Sequence, residues 1–156
     1  MAMIQCLCGE VGIEVTGEPV AQLYCHCDDC QLVHGAACVP TAIYRTKDVV
    51  IVHGEAREWR LRTTPRYACP NCGTRLFAQG SEAFRGVNAY LLPPGTFYPT
   101  LHIYCRFAAL PVADALPHYA TVPARWGGSD ETVDWGWADG SSDVPQSAPI
   151  APAEEP

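Results

Sequence analysis

The cysteines constrain this chain more than any other feature. Nine occur among 156 residues, and seven fall into three tight groups. These are Cys6-Leu7-Cys8-Gly9, Cys25-His26-Cys27-Asp28-Asp29-Cys30 and Cys69-Pro70-Asn71-Cys72-Gly73. An odd count rules out complete internal disulfide pairing. Thiolates separated by two residues can converge on one ion, and a glycine after the second relaxes the turn so that backbone amides can face sulfur. Cys69, Cys72 and Gly73 read as one half of a metal site. Cys6, Cys8 and Gly9 supply the other half if the N-terminal strand packs beside that turn. Zinc favours such a tetrahedral thiolate set, with four-thiolate iron the chemical alternative and a disulfide the third reading.

Cys25, Cys27 and Cys30 form a different kind of group. Three ligands so close in sequence cap one face of an ion and leave its fourth position for water or an incoming thiol. An open position separates catalytic from structural zinc. His26, His34, Cys38 or a distant Asp could close it, and redox chemistry by Cys27-Asp28-Asp29-Cys30 is the competing reading. His26, between two ligands, can point away from them to shape a pocket or act as a donor behind the metal, the other reading being plain local structure. Cys38 and Cys105 read as buried, inert thiols inside strands. Arg62, Arg66 and Arg75, around the Cys69 turn, are either solvated charges or donors to thiolates.

Charge narrows the partners. The formal net charge is −7, yet seven of the seventeen acids lie after Arg125, where no Lys or Arg remains. Residues 1–125 therefore hold ten acidic and ten basic side chains. The body has no basic field to support nucleic-acid binding. Apolar residues make up 48% of the chain, enough for a core, and no apolar run reaches the length of a membrane span. The start, Met1-Ala2-Met3-Ile4-Gln5, lacks the pattern of a secretory signal, which implies a reducing cytoplasm and favours metal over disulfides.

The local pattern is that of short strands. Val11, Ile13 and Val15 alternate, Val20–Tyr24 delivers Cys25, and further strands are expected at Ala36–Val39, Val49–Val52, Arg57–Leu61, Thr74–Phe77 and Leu101–Cys105. Short helical turns are expected near Cys27–Val33 and Ser81–Phe84. Tyr90, Phe97, Tyr98, Tyr104 and Phe107 read as core, and His53, His102 and His118 as structural or surface groups. Residues 1–126 form one domain. Residues 127–156 turn to Ser, Asp, Gly, Pro and Ala and read as an acidic flexible tail, in which Trp135 and Trp137 could dock on the body or on a partner.

Taken together, the motifs resemble the glutathione-dependent formaldehyde-activating enzyme family, which shares its domain with centromere protein V. The resemblance runs from about Gln5 to Pro123. Beyond the three cysteine groups it rests on Gly17-Glu18-Pro19, Thr74, His102-Ile103 and Leu116-Pro117-His118-Tyr119. It implies a mainly β fold of folded-over antiparallel sheets, Mss4-like or RabGEF-like. It also implies two zinc ions: a structural one on Cys6, Cys8, Cys69 and Cys72, and a catalytic one on Cys25, Cys27 and Cys30. The family's reaction class is carbon–sulfur lyase or its reverse, with a small-molecule thiol and aldehyde as partners, glutathione and formaldehyde being the named pair. His26 is counted with the three cysteines as the catalytic set. The family often has a basic residue after the third clustered cysteine, where this chain has Gln31. A non-catalytic, zinc-stabilised binding or scaffold protein is the alternative, and the oligomer is expected to be a monomer or homodimer.

Overall fold

The structure is a computed structural model, in which residues 1–62 and 64–135 are described. Ten strands and one short helix follow in chain order: β1 (Ala2–Gln5), β2 (Gly12–Val15), β3 (Ala21–Cys25), α1 (Asp28–His34), β4 (Val39–Arg45), β5 (Val49–His53), β6 (Arg57–Arg60), β7 (Pro65–Ala68), β8 (Arg75–Gln79), β9 (Phe84–Asn88) and β10 (Leu101–Ile103). They form two sheets. One has three strands in the order β1-β2-β5 and the other seven in the order β10-β3-β4-β9-β8-β7-β6. Every pairing is antiparallel except β10 on β3. The fold is mainly β and Mss4-like, as expected. No helix among the described residues is long and apolar enough to cross a membrane.

The main core lies between the two sheets. Ile4, Val11, Ile13, Val15 and Val49 from the small sheet meet Ala42, Tyr44, Leu76, Phe77 and Val87 from the large one. Burying each aliphatic side chain is worth roughly 1.5–3 kcal/mol, so this interface carries most of the apolar stabilisation. Arg85 on β9 ties the large sheet to the backbone of the small one. Its guanidinium donates to the Val49 carbonyl on β5 and to Gln79 Oε1, and lies 4.8 Å from the Phe77 ring centre. Gly54, after β5, sits at φ +68° against the Glu10 carbonyl, where any Cβ would overlap that oxygen. A second, smaller core of Leu23, Cys25, Leu101 and Ile103 underlies the Cys25 end of the large sheet, with Cys27, Cys30, Tyr104 and Tyr119 packed on it.

Several local expectations need correction. Strands β1, β7 and β9 carry no alternating signal. In β1 only Ile4 is buried, β7 opens on Pro65 and turns Arg66 inward, and β9 contains Gly86 pressed against the Thr41 methyl. The strand expected at 36–39 begins only at Val39 and runs on to Arg45. The helical turn expected at Ser81–Phe84 is the hairpin between β8 and β9, closed by paired Ser81 and Phe84 backbone hydrogen bonds of 3.3 and 3.4 Å. β10 stops at Ile103 because Tyr104 adopts φ +58°, so Cys105 starts a 3-10 turn instead of ending a strand. Cys38 likewise precedes β4. Of the aromatics read as core, Phe97 packs against it, whereas Tyr90 and Tyr98 are 82% and 70% exposed.

Within the segment expected as a tail, residues 127–135 are hydrogen-bonded to the body. Gly128 N–H donates to Pro123 O at 3.1 Å, Ala120 N–H to Glu131 O at 2.7 Å and Val133 N–H to His118 O at 2.8 Å. These bonds capture backbone that composition alone marks as loose. Trp137 and the remainder of the expected tail lie outside the described residues.

Candidate metal centres and cleft

The first and third cysteine groups meet. Each is a tight turn built to the same plan. Cys6 N–H donates to Val11 O (2.9 Å) and Gly9 N–H returns to Cys6 O (3.0 Å), while Cys69 N–H donates to Thr74 O (3.0 Å) and Gly73 N–H returns to Cys69 O (3.0 Å). Gly9 and Gly73 take φ +77° and +73°, the left-handed conformation such a return requires. The turns face each other across 61 residues of sequence, with Leu7 N–H donating to Thr74 Oγ1 at 3.2 Å. The four sulfurs all lie within 4.8 Å of one another. Cys6 to Cys8 is 3.5 Å and Cys8 to Cys69 is 3.6 Å. Four sulfurs at about 2.3 Å from zinc stand roughly 3.8 Å apart, close to the two separations between Cys6 and Cys8 and between Cys8 and Cys69.

Donors already face these sulfurs. Val11 N–H reaches Cys6 Sγ at 3.2 Å, and the Thr74 hydroxyl lies 3.0 Å from Cys72 Sγ. Hydrogen bonding from Thr74 brings the Cys72 thiol down to about 5, so a thiolate is present there at neutral pH. The four sulfurs would fill every position of a tetrahedral ion, which would make this site closed.

Cys25, Cys27 and Cys30 also converge, with their sulfurs within 4.8 Å of one another. Cys25 ends β3 and faces the second core. Cys27 caps α1, accepting from Cys30 N–H at 3.3 Å, and Cys30 lies one turn along the helix. Hydrogen bonds from Cys25 and Cys30 bring the Cys27 thiol down to about 3, with the Arg66 charge a smaller pull in the same direction. Cys25 is pushed well above its ordinary value because its thiol is engaged with Cys27 and Cys30 and is buried. A metal entering here therefore meets one ready thiolate and must displace the protons of Cys25 and Cys30. Among the described residues, no further His, Cys, Asp or Glu joins the group. The donor set suits zinc, and its fourth side is free of protein ligands.

That side opens on a cleft of about 450 Å³, within the range of small-molecule sites. Leu23, Ile103, Tyr104 and Phe107 make its apolar wall, and Arg66, Arg75 and His34 its polar wall. Arg62 is a clamp at the rim, pairing with Asp28 Oδ2 at 2.7 Å and Asp29 Oδ1 at 3.0 Å, but it is 60% exposed and worth little to stability. Arg66 is different. It is 7% exposed, its nearest carboxylate is Asp29 at 3.8 Å, and its buried Nε has no hydrogen-bond partner. A buried guanidinium with unused donors beside a cleft is prepared for an anion.

Gln31, where a basic residue was the family's habit, is a fastener. Its amide donates to His26 O at 2.6 Å and Phe107 O at 2.7 Å, locking α1 against the Cys105–Phe107 turn. His26 is fully buried but does not face the cleft. Its Nε2 lies 2.8 Å from His102 Nδ1, on a separate side of the strand from the Cys25 sulfur. Burial, then the neighbouring His102 and His118, lower its pKa to about 4, so it is neutral at physiological pH. Its assignment to the catalytic set thus has no contact to rest on. Sequence reasoning also missed the grouping of His102, Asp114 and His118. The i,i+4 spacing of Asp114 and His118 was its only trace.

Comparison with known proteins adds three findings. The model of a family described as glutathione-dependent formaldehyde-activating enzyme matches residues 1–107, a span that includes all seven clustered cysteines. The search of curated proteins returned no match. Among solved structures, the chain is similar to the crystal structure of a Rhodobacter sphaeroides protein, with a TM-score of 0.51 and 24% identity over 60% of this chain and 89% of that one. That likeness is one of fold.

Proposed function

The chain belongs to the glutathione-dependent formaldehyde-activating enzyme family, and from that premise we propose that it joins a small thiol to a small aldehyde, or runs the reverse carbon–sulfur lyase reaction, beside Cys25, Cys27 and Cys30. The observation that carries the reading is the contrast between the two cysteine sites. One is closed by four sulfurs, and the other presents three sulfurs to a cleft. The reading includes two zinc ions, one at each site. Zinc bound at the open site supplies a Lewis-acid position that lowers the pKa of an incoming thiol.

The remaining work falls to the chain's own groups. In the net reaction a C–S bond forms between thiol and carbonyl carbon, and the thiol proton ends on the carbonyl oxygen. The reverse reaction breaks that bond and returns the proton to sulfur. Arg66 and Arg75 give the cleft a positive wall that suits a thiol bearing carboxylates, such as glutathione. The Ile103, Tyr104 and Phe107 wall limits water around the small carbonyl partner. Positioning two reactants side by side is itself a large share of the acceleration for such an addition.

The test compares glutathione with uncharged 2-mercaptoethanol, each with formaldehyde, following hydroxymethyl adduct exchange by NMR. The zinc-loaded protein accelerates adduct formation. Arg66→Gln raises KM for glutathione by about tenfold, the worth of one charge-assisted hydrogen bond, and leaves that for 2-mercaptoethanol within about twofold. An equal fall in kcat with both thiols would remove Arg66 from substrate binding. No acceleration with either thiol would remove the proposed activity.

A further inference from the structure

We propose that His102, Asp114 and His118 form a third metal site, for a first-row divalent cation such as zinc or nickel, distinct from both cysteine sites. His102 comes from β10, and Asp114 and His118 come from the segment that follows the Cys105–Phe107 turn. The parallel bridge between His102 and His118, with His102 N–H to Pro117 O at 2.9 Å and Tyr119 N–H to His102 O at 3.0 Å, fixes the two imidazoles side by side. One ligand atom from each of the three residues lies within 4.8 Å of the other two.

His102 Nε2 is hydrogen-bonded to Asp114 Oδ2, and it is the His118 contact that departs from a simple hydrogen-bonded triad. His118 Nε2 is 3.2 Å from Asp114 Oδ1, yet this buried nitrogen makes no hydrogen bond, because the contact is not directed along one. Two donors that stand about 3.3 Å apart and aim past each other are what a shared tetrahedral ion produces, given bond lengths of about 2.0 Å to nitrogen and oxygen. His102 Nε2 is 2.9 Å from Asp114 Oδ2, on the other carboxylate oxygen. Behind it, His102 Nδ1 is held at 2.8 Å by His26 Nε2. A ligating imidazole is usually fixed in this way through its second nitrogen. This gives the buried His26 a role that the cysteine cleft does not.

The surroundings complete a site. Tyr24 stacks on His102 with ring centres 4.9 Å apart, and Trp135 covers His118 at 4.4 Å, so the group has an apolar jacket. A cavity of about 520 Å³, lined by Asp114, His118, Val133 and Trp135, gives an ion and its water access from one side. Two imidazoles and one carboxylate with an open side suit zinc, nickel or iron(II) rather than calcium or magnesium. The ion would pin the segment from Asp114 to Trp135 onto β3 and β10.

The test uses the full chain dialysed against buffered zinc and counts metal by elemental analysis. The wild-type protein holds one more zinc per chain than either Asp114→Asn or His118→Gln. This difference is independent of how many ions the cysteines hold, so failure here and failure of the proposed activity are separable. Equal counts in wild type and variants would overturn the site. A second measurement avoids variants altogether. Nickel added to wild-type protein that carries zinc at the cysteine sites alone selectively broadens the NMR ring signals of His102, His118 and Trp135 and spares His53. Broadening of His53 alone, or none, would equally overturn it.

Discussion

Replacing Cys27 with serine is expected to empty the open site, abolish thiol–aldehyde chemistry and leave the protein folded. The expectation rests on what serine keeps and what it loses. Cys27 is the N-cap of α1, its sulfur accepting from Cys30 N–H. Serine is among the best N-caps, so Cys27→Ser preserves the helix start that positions Cys30. It removes the group that is already a thiolate, with its thiol at about 3, and replaces it with a hydroxyl that does not ionise near neutrality. Changes to groups merely supporting a metal ligand cost about 10- to 100-fold in affinity or activity, and loss of a ligand exceeds that. The rate with glutathione and formaldehyde should fall by at least about a hundredfold, zinc content by one per chain, and the melting temperature by no more than a few degrees. Retention of both the zinc and the rate would show that Cys27 is not part of the chemistry.

Replacing Cys69 with serine should do the opposite. Cys69 is buried, sits 3.6 Å from Cys8 Sγ and holds its turn through Thr74. The small sheet reaches the large one through the apolar interface, Arg85 and this quartet. Structural zinc contributes about 10–16 kcal/mol in small peptides that have no other core. Here a core exists, so only part of that appears as domain stability. A loss of about 3–5 kcal/mol corresponds to a fall in melting temperature of ~10 °C or more for a domain of this size. Thermal unfolding of Cys69→Ser and Cys27→Ser side by side measures the contrast. Equal shifts would contradict the division into a closed structural site and an open one.

The cysteine turns were legible because their chemistry is local. Cys69-Pro70-Asn71-Cys72-Gly73 carries its own geometry, and Gly9 and Gly73 announce the left-handed returns that the structure contains. That the N-terminal turn would meet the Cys69 turn followed from ligand arithmetic. Strand β5 was readable from its β-branched run and β2 from the alternation of Val11, Ile13 and Val15. What was missed depends on contacts far apart in the chain. β7 was obscured by Arg66, a residue that pattern places outside and the fold places beside the cleft. His26 gave its neighbours' signal, two cysteines, while its own partner was His102, 76 residues away. Gln31 looked like a lost charge and proved to be a backbone fastener to Phe107. Residues 127–135 have the composition of a tail, but their backbone bonds to Ala120, Pro123 and His118 come from the fold.

The division between the two cysteine sites is visible to anomalous diffraction from crystals of the zinc-loaded chain, recorded on both sides of the zinc edge. One peak is expected enclosed by the sulfurs of Cys6, Cys8, Cys69 and Cys72. Another is expected bound by Cys25, Cys27 and Cys30 with a fourth ligand that is not a protein group and faces the Arg66 cleft. A peak at the four-cysteine site with none at Cys25, Cys27 and Cys30, or an ion at those three cysteines closed by a protein side chain, would overturn that division, whatever the occupancy at His102, Asp114 and His118.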